Sequence, residues 1–354
     1  MLIVTHPACL EHDPGGSHPE SPARLRAVLA AINNFSSASK AKALSSPSPS
    51  NGEPASFSPS PSKGESQGEG GRSQPIAIQS PQSFVVEEAQ APRASREALL
   101  RVHTAHYLEW LEQKFPKQGR LALDPDTFLS LGSREAAYRA AGAVEYAVEQ
   151  VLAGTAKRAF CAVRPPGHHA EPDKAMGFCL FNNVAVGVAA ALAGGIGRVA
   201  IVDFDVHHGN GTEAIFSGNK RVLYCSLFQH PLYPDSGLTP PANGVFVPLP
   251  AGTDGAHYSA AFSEQVVPAL DKFRPELIFI SAGFDAHAGD PLASLALEDE
   301  DYAWLTDRIA EAAEQSPQGR IISVLEGGYN LTALRTATLA HLQGLTDPLP
   351  SSLQ

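Results

Sequence analysis

The chain has little with which to cross-link itself: four cysteines in 354 residues, Cys9, Cys161, Cys179 and Cys225, none forming a C-x-x-C pair. That argues against a disulfide framework or a zinc ribbon, and it fits a reducing cytoplasm. Long apolar runs are missing too. The most apolar stretch, "VAVGVAAALAGG", falls short of the ~20 residues a membrane span requires and reads as a packed core helix. The opening "MLIVTHPACLEHD" has neither a basic n-region nor an apolar h-region, so no secretory signal is expected. Positive charge is scarce, with 26 Lys and Arg against 37 Asp and Glu and a formal net charge of -11. Nucleic acid or an anionic membrane is therefore not the expected partner, whereas a cationic ligand would be compatible.

What is present is enough apolar material, 43% of residues, for a large α/β core. One region departs from it. Residues 45–83 are dense in Ser, Pro and Gly and nearly free of large apolar side chains, so they are expected to form a disordered surface insertion. "SPARLRAVLAAINNF" reads as a helix with Ser21 as N-cap and Pro22 at its first position. "SREALLRVHTAHYLEWLEQ" reads as one or two helical pieces. "SREAAYRAAGAVEYAVEQVLAG" reads as a helix that could start at a Ser133 cap and that stops at Gly154. Strands are expected at "AFCAV", "RVAIVDFD", "RVLYCSLF", "LIFISAG" and "RIISVLEGG", several with little polar alternation, as in strands buried on both faces. Between some of them lie the helical stretches "NNVAVGVAAALA", "HYSAAFSEQVVPALDKF" and "DEDYAWLTDRIAEAAEQ". This alternation predicts an α/β fold with a largely parallel sheet.

Four of these strands end in unusual polar loops: "RPPGHHA", "DFDVHHGNG", "SAGFDAHAGD" and "LEGGYN". In open α/β sheets the site lies at the carboxyl edge. An unpartnered carboxylate at the end of a buried strand costs several kcal/mol or more, and a cation is the obvious partner. Asp203, Asp205 and His207 recur at every second residue, so an extended chain presents them to one side while Phe204 and Val206 pack on the other. Two carboxylates and an imidazole neutralise a dication and leave a coordination position open, as a catalytic zinc requires; Asp205, His207 and Asp285 form that set. A helix N-cap is the competing reading of Asp285 alone.

His168 and His169 sit in a turn pinned by Pro165, Pro166 and Gly167. If Asp203 orients His168, its carboxylate favours the charged imidazolium. Asn210 is neutral, so pairing with it would leave His169 nearer its ordinary pKa and suited to shuttle a proton from water to a leaving amine. Tyr329 can donate its hydroxyl to the oxyanion of a tetrahedral intermediate. His287 is read as lying outside the ligand set, because that set already balances a dication's charge.

Together "RPPGHHA", "MGFCLFNN", "VDFDVHHGNGT", "SAGFDAHAGDPL" and "LEGGYN", in this order, resemble the histone deacetylase superfamily, in particular its class II-like bacterial branch. The likeness runs from "HPESPAR" to the final glycine–tyrosine loop, leaving out the Ser/Pro segment. It implies the arginase–deacetylase fold, a single domain over residues 1–354 with a mostly parallel sheet of about eight strands, interrupted at 45–83. It implies zinc-dependent hydrolysis of acyl-amine amides, with zinc on Asp205, His207 and Asp285, the histidine pair on His168 and His169, and the oxyanion tyrosine on Tyr329. It also implies a structural potassium near Asp203, Asp205, His207, Ser226 and Leu227, and a narrow tunnel walled by Gly177, Phe178 and Tyr233 with Leu292 at its side. Asp126 aligns with a rim position that holds substrate backbone, and Arg24 with a residue behind the site. Phe228, Leu131 and "YPDSG" depart from the family's usual residues and are expected to reshape the mouth.

An acetylated lysine side chain and an acetylpolyamine or other small acylated amine both fit this reading as substrates. A dimanganese ureohydrolase of the same fold would need acids at Gly209 and His287, which are absent. A non-catalytic protein that merely holds acylated ligands would be expected to lack the histidine pair or Tyr329.

Overall fold

A computed structural model describes residues 1–45 and 86–346, with side chains undescribed from 39 to 45. Apart from Ser45, the segment expected to be disordered at 45–83 lies outside the described residues. The strands in chain order are β1 (Leu2–Thr5), β2 (Glu87–Gln90), β3 (Leu121–Ala122), β4 (Phe128–Leu129), β5 (Arg158–Cys161), β6 (Val199–Asp203), β7 (Val222–Gln229), β8 (Gly244–Leu249), β9 (Leu277–Ala282) and β10 (Ile321–Leu325). Eight of them form one sheet in the order β2-β1-β5-β10-β9-β6-β7-β8. Every neighbouring pair in it is parallel. The five expected strands are all present and are buried along their whole length. Three sheet strands escape a reading of apolar runs. β2 is polar and largely exposed, β1 is four residues long, and β8 carries Pro248. β2 and β8 are the sheet's two edges, where such residues are tolerated.

The helices are α1 (Pro22–Ser45), α2 (Arg96–Leu100), α3 (Ala105–Lys114), α4 (Ser133–Ala153), α5 (Asn183–Ala193), α6 (Asn210–Phe216), α7 (Gly255–Ala261), α8 (Val267–Phe273), α9 (Asp299–Glu314) and α10 (Leu331–Thr346). They cover both faces of the sheet. A side chain on Gly187 of α5 would strike Phe279 of β9, whereas Ser323 of β10, beside Ile280 of β9, pairs with His341 of α10. Phe279 and Ile280 are successive strand residues and point to opposite faces. Accordingly α4 packs with α5, while α1, α9 and α10 pack together.

One local expectation changes and another gains detail. Ser133 is the first residue of α4, not its cap, and Gly132 holds the cap position. The Ser133 hydroxyl is engaged elsewhere, accepting from Ser130 N at 2.6 Å and pairing with His12 Nδ1 at 2.7 Å. The helical stretch expected from His257 to Phe273 is present, with α7 and α8 joined without a gap by a wide π turn at Phe262–Val266, just before Pro268, which lacks the N–H of a regular helix. No helix among the described residues is long and apolar enough to cross a membrane.

Candidate metal centre and tunnel

The four polar loops follow β5, β10, β9 and β6, which are consecutive neighbours in the sheet. Parallel pairing puts their carboxyl ends side by side, so residues as distant as His168 and Tyr329 converge. β6 itself ends at Asp203, and the bent chain beyond it carries Asp205 and His207. Three residues expected on one side of an extended strand thus divide: Asp203 serves His168, and the other two turn to Asp285.

His207 Nδ1 lies 3.1 Å from Asp205 Oδ1 and 3.2 Å from Asp285 Oδ2, and all three side chains are buried. Val206 N donates to Asp285 Oδ1 at 2.9 Å, and Gly327 N to Asp205 Oδ2 at 2.8 Å. Asp285 Oδ2 is buried with no hydrogen bond of proper geometry, although His207 stands beside it. Burial and the neighbouring Asp205 push the Asp285 carboxyl up to about 7. Burial would lower His207, but the adjoining carboxylates of Asp205 and Asp285 raise it to about 10. A proton on that ring thus stands in for a cation among converging acceptors. The donor set, an orphaned carboxylate oxygen and two mutually repelling acids fit a divalent metal with N and O ligands. Among the described residues this is the one such group of three.

The paired histidines lie with ring centroids 4.0 Å apart. His168 Nδ1 meets Asp203 Oδ2 at 3.1 Å, and its Nε2 is 3.7 Å from Asp205 Oδ1. Burial opposes the charged form of His168, but Asp205 and Asp203 outweigh it and raise the ring to about 10. His169 Nδ1 meets Asn210 Oδ1 at 2.8 Å. Burial, then the positive rings of His168 and His207, hold His169 well below the usual imidazole range. The two histidines are inequivalent, as expected, and His169 lies further down than a neutral partner alone would leave it.

A cavity of about 230 Å³ opens above this floor, lined by Asp126, Gly177, Phe178, Leu232, Tyr233, Leu292 and Tyr329 together with His169 and His207. Every tunnel and rim residue named from the sequence lines it. Gly177 has φ +56, and a Cβ there would lie 2.4 Å from the His169 ring, so the wall can pass this close only as glycine. Phe178 stands edge-on to Tyr329 at 5.8 Å, and Tyr233 edge-on to His169 at 5.1 Å. Asp126 lies between β3 and β4; its Oδ1 accepts from Thr127 Oγ1, which itself accepts from Phe178 N. Arg24 is buried behind the site, donating to Gly328 O and Glu326 O with its guanidinium 4.8 Å from the Tyr329 ring centroid. Burial raises the Tyr329 phenol, keeping it a hydroxyl.

Some expectations land elsewhere. Phe228 is buried 4.8 Å from the His208 ring and does not reach the mouth. Leu131 is exposed beside a separate surface groove. His287, by contrast, stands outside the ligand cluster as read from the sequence, facing Asp299 at 3.5 Å. Ser226 lies beside Asp203 in the sheet, its hydroxyl paired with His208. Several contributors were not foreseen. Leu232 lines the cavity, and Asp290 accepts from Tyr329 N at 2.7 Å. Glu326 accepts from Gly167 N and His168 N, fixing the histidine turn. The signal for Glu326 was the same as for the metal acids, a carboxylate ending a buried strand.

This sheet, with its polar constellation at the carboxyl edge, is the arginase–deacetylase fold. A histone deacetylase domain model matches residues 73–345. The chain is 43% identical over 265 residues to a histone deacetylase-like amidohydrolase of Pseudomonas aeruginosa, covering 72% of this chain and 70% of that protein. It is 42% identical over 246 residues to a probable deacetylase of Archaeoglobus fulgidus, covering 68% of each. The crystal structure of the HDA15 HD domain superposes with a TM-score of 0.79 at 30% identity, covering all of this chain and 92% of that one. The chain belongs to the histone deacetylase family, and it is thereby a hydrolase of the deacetylase class.

Proposed function

We propose that the protein is a zinc-dependent amidohydrolase that removes acetyl or related acyl groups from the side-chain amine of lysine or from a small amine. The observation that carries this is the convergence of Asp205 Oδ1, His207 Nδ1 and the orphaned Asp285 Oδ2 at the floor of a tunnel that also holds His169 and Tyr329. Zinc held by these three residues would supply Lewis acidity, polarising the amide carbonyl and acidifying water. Phe178 and Tyr233 present aromatic surface to an aliphatic stem, which carries no charge to hydrate. His169, neutral and bonded to Asn210, takes the proton from the attacking water and returns it to the departing nitrogen. His168, held charged by Asp203, stabilises the negative charge that develops. Tyr329 donates to the oxyanion, with Asp290 holding its backbone and Arg24 its ring face.

A structural potassium at Asp203, Asp205, His207, Ser226 and Leu227 belongs to the same proposal, supported by the side-by-side placement of Asp203 and Ser226. So does the reading of residues 1–354 as one catalytic domain. The zinc-loaded protein should release acetate from an acetyl-lysine reporter. Tyr329→Phe should retain zinc and lose about 10²- to 10³-fold in kcat, the usual loss on removing one oxyanion donor. A protein that holds zinc and hydrolyses no acyl amide would be a binding module instead. Competition between an acetylated peptide and acetylputrescine or acetylspermidine separates the two substrate classes.

A further inference from the structure

We infer that Glu171 is a positioning residue which, through Asn210, sets the tautomer of His169. The inference rests on the amidohydrolase reading only for its kinetic consequence. Asn210 Oδ1 lies 2.8 Å from His169 Nδ1. Around Asn210 Nδ2 stand Glu171 Oε1 at 2.8 Å, His169 O at 3.4 Å and Met176 Sδ at 3.4 Å. All three are acceptors. Were the amide reversed, its oxygen would face a carboxylate, a carbonyl and a thioether with no hydrogen among them. The amide oxygen must therefore point at His169, and because it can only accept, Nδ1 of His169 carries the hydrogen. In the neutral ring the lone pair then falls on Nε2. That is the atom free to take a proton, since Nδ1 is already occupied.

Glu171 is not a loosely tethered surface acid. Its N–H donates to Lys174 O at 2.9 Å. Its carbonyl pairs with His103 Nδ1 at 3.0 Å, while Asn182 N donates to His103 Nε2 at 3.0 Å. Because Nε2 of His103 accepts, its Nδ1 must donate. Burial holds His103 down at about 4, in keeping with that neutral ring. The backbone of Glu171 is thus pinned on both sides, and its half-buried carboxylate is delivered to Asn210. The result is a head-to-tail array in which each donor is fixed by the next acceptor: His169 to Asn210, Asn210 to Glu171.

The test reverses the polarity at position 171. Glu171→Lys places a donor where the acceptor stood and should turn Asn210 over, driving the hydrogen of His169 to Nε2. Glu171→Gln can still accept through its amide oxygen. In zinc-loaded, histidine-¹⁵N-labelled full-length protein, long-range ¹H–¹⁵N spectra should show the Nδ1–H form of His169 in the wild type and the Nε2–H form in Glu171→Lys. The same substitution should lower kcat by about tenfold or more, with KM, zinc content and Tm little changed, as for other losses of outer hydrogen-bonding partners. Glu171→Gln should recover most of the turnover and the wild-type spectrum. Should the lysine variant fail to fold, Glu171→Ala is read the same way, with a mixture of tautomers expected. An unaltered His169 spectrum in the lysine or alanine variant overturns the inference, whatever happens to kcat. A wild type that shows the Nδ1–H form but hydrolyses nothing overturns the amidohydrolase reading alone.

Discussion

A Cβ placed on Gly327 would lie 2.0 Å from Oδ2 of Asp285 and 2.5 Å from Oδ2 of Asp205. The glycine backbone therefore closes the underside of the proposed metal centre, and Gly327 N binds one of its carboxylates directly. Gly327→Ala is expected to push Asp285 away from His207. Metal analysis should find zinc occupancy reduced, and urea unfolding should show the roughly 1–3 kcal/mol loss typical of overpacking. Full zinc occupancy at wild-type stability would mean that the close approach has no consequence.

Asp203 holds His168 from one side while accepting from Tyr224 Oη at 2.9 Å on the same oxygen, Oδ2. Asp203→Asn keeps the shape and removes the charge that supports the imidazolium. A fall in kcat of about 10- to 100-fold is expected, with zinc retained, because Asp203 is not in the ligand set. Stopped-time acetate release with parallel metal analysis checks both halves.

His341 is buried between Thr306 Oγ1 at 2.6 Å and Ser323 Oγ at 2.8 Å, and burial lowers its pKa from 6.5 to about 3. The unfolded chain takes up this proton at the ordinary imidazole value while the folded chain does not. Its contribution to stability is therefore complete above about pH 6.5 and is lost as pH falls towards about 3, at about 1.4 kcal/mol per pH unit. Urea unfolding of wild type and His341→Gln at a series of acidic pH values should show the shallower dependence in the variant. Equal slopes would mean that His341 is already protonated in the folded protein.

Much of the centre was legible in the sequence because its chemistry is costly anywhere else. Carboxylates ending buried strands, adjacent histidines in a proline-pinned turn and a tyrosine between glycines each pointed to the carboxyl edge, and the order β5-β10-β9-β6 brings those four loops together. The pairing of Asp203 with His168 was anticipated, but spacing alone could not show that the chain bends after β6 and turns Asp205 and His207 towards Asp285. Nor could it show Phe228 buried beneath His208, since an apolar residue near a mouth and one packed below it look alike in one dimension. Glu171 meets the Asn210 side chain, and Asp290 and Glu326 meet backbone amides, contacts that exist only once distant segments are folded together. The edge strands were missed for other reasons: β2 is polar and largely exposed and has no apolar run, and β8 is interrupted by Pro248.

The most direct measurement is the zinc content of the purified full-length chain, taken alongside acetate release, for wild type and Asp285→Asn. One zinc per wild-type chain with turnover is expected, and the variant should lose most of both, because the amide can neither offset the cation's charge nor replace the orphaned oxygen equally well. A wild type that hydrolyses acetyl-lysine without bound metal, or an Asp285→Asn protein that turns over undiminished, would contradict a centre built on Asp205, His207 and Asp285.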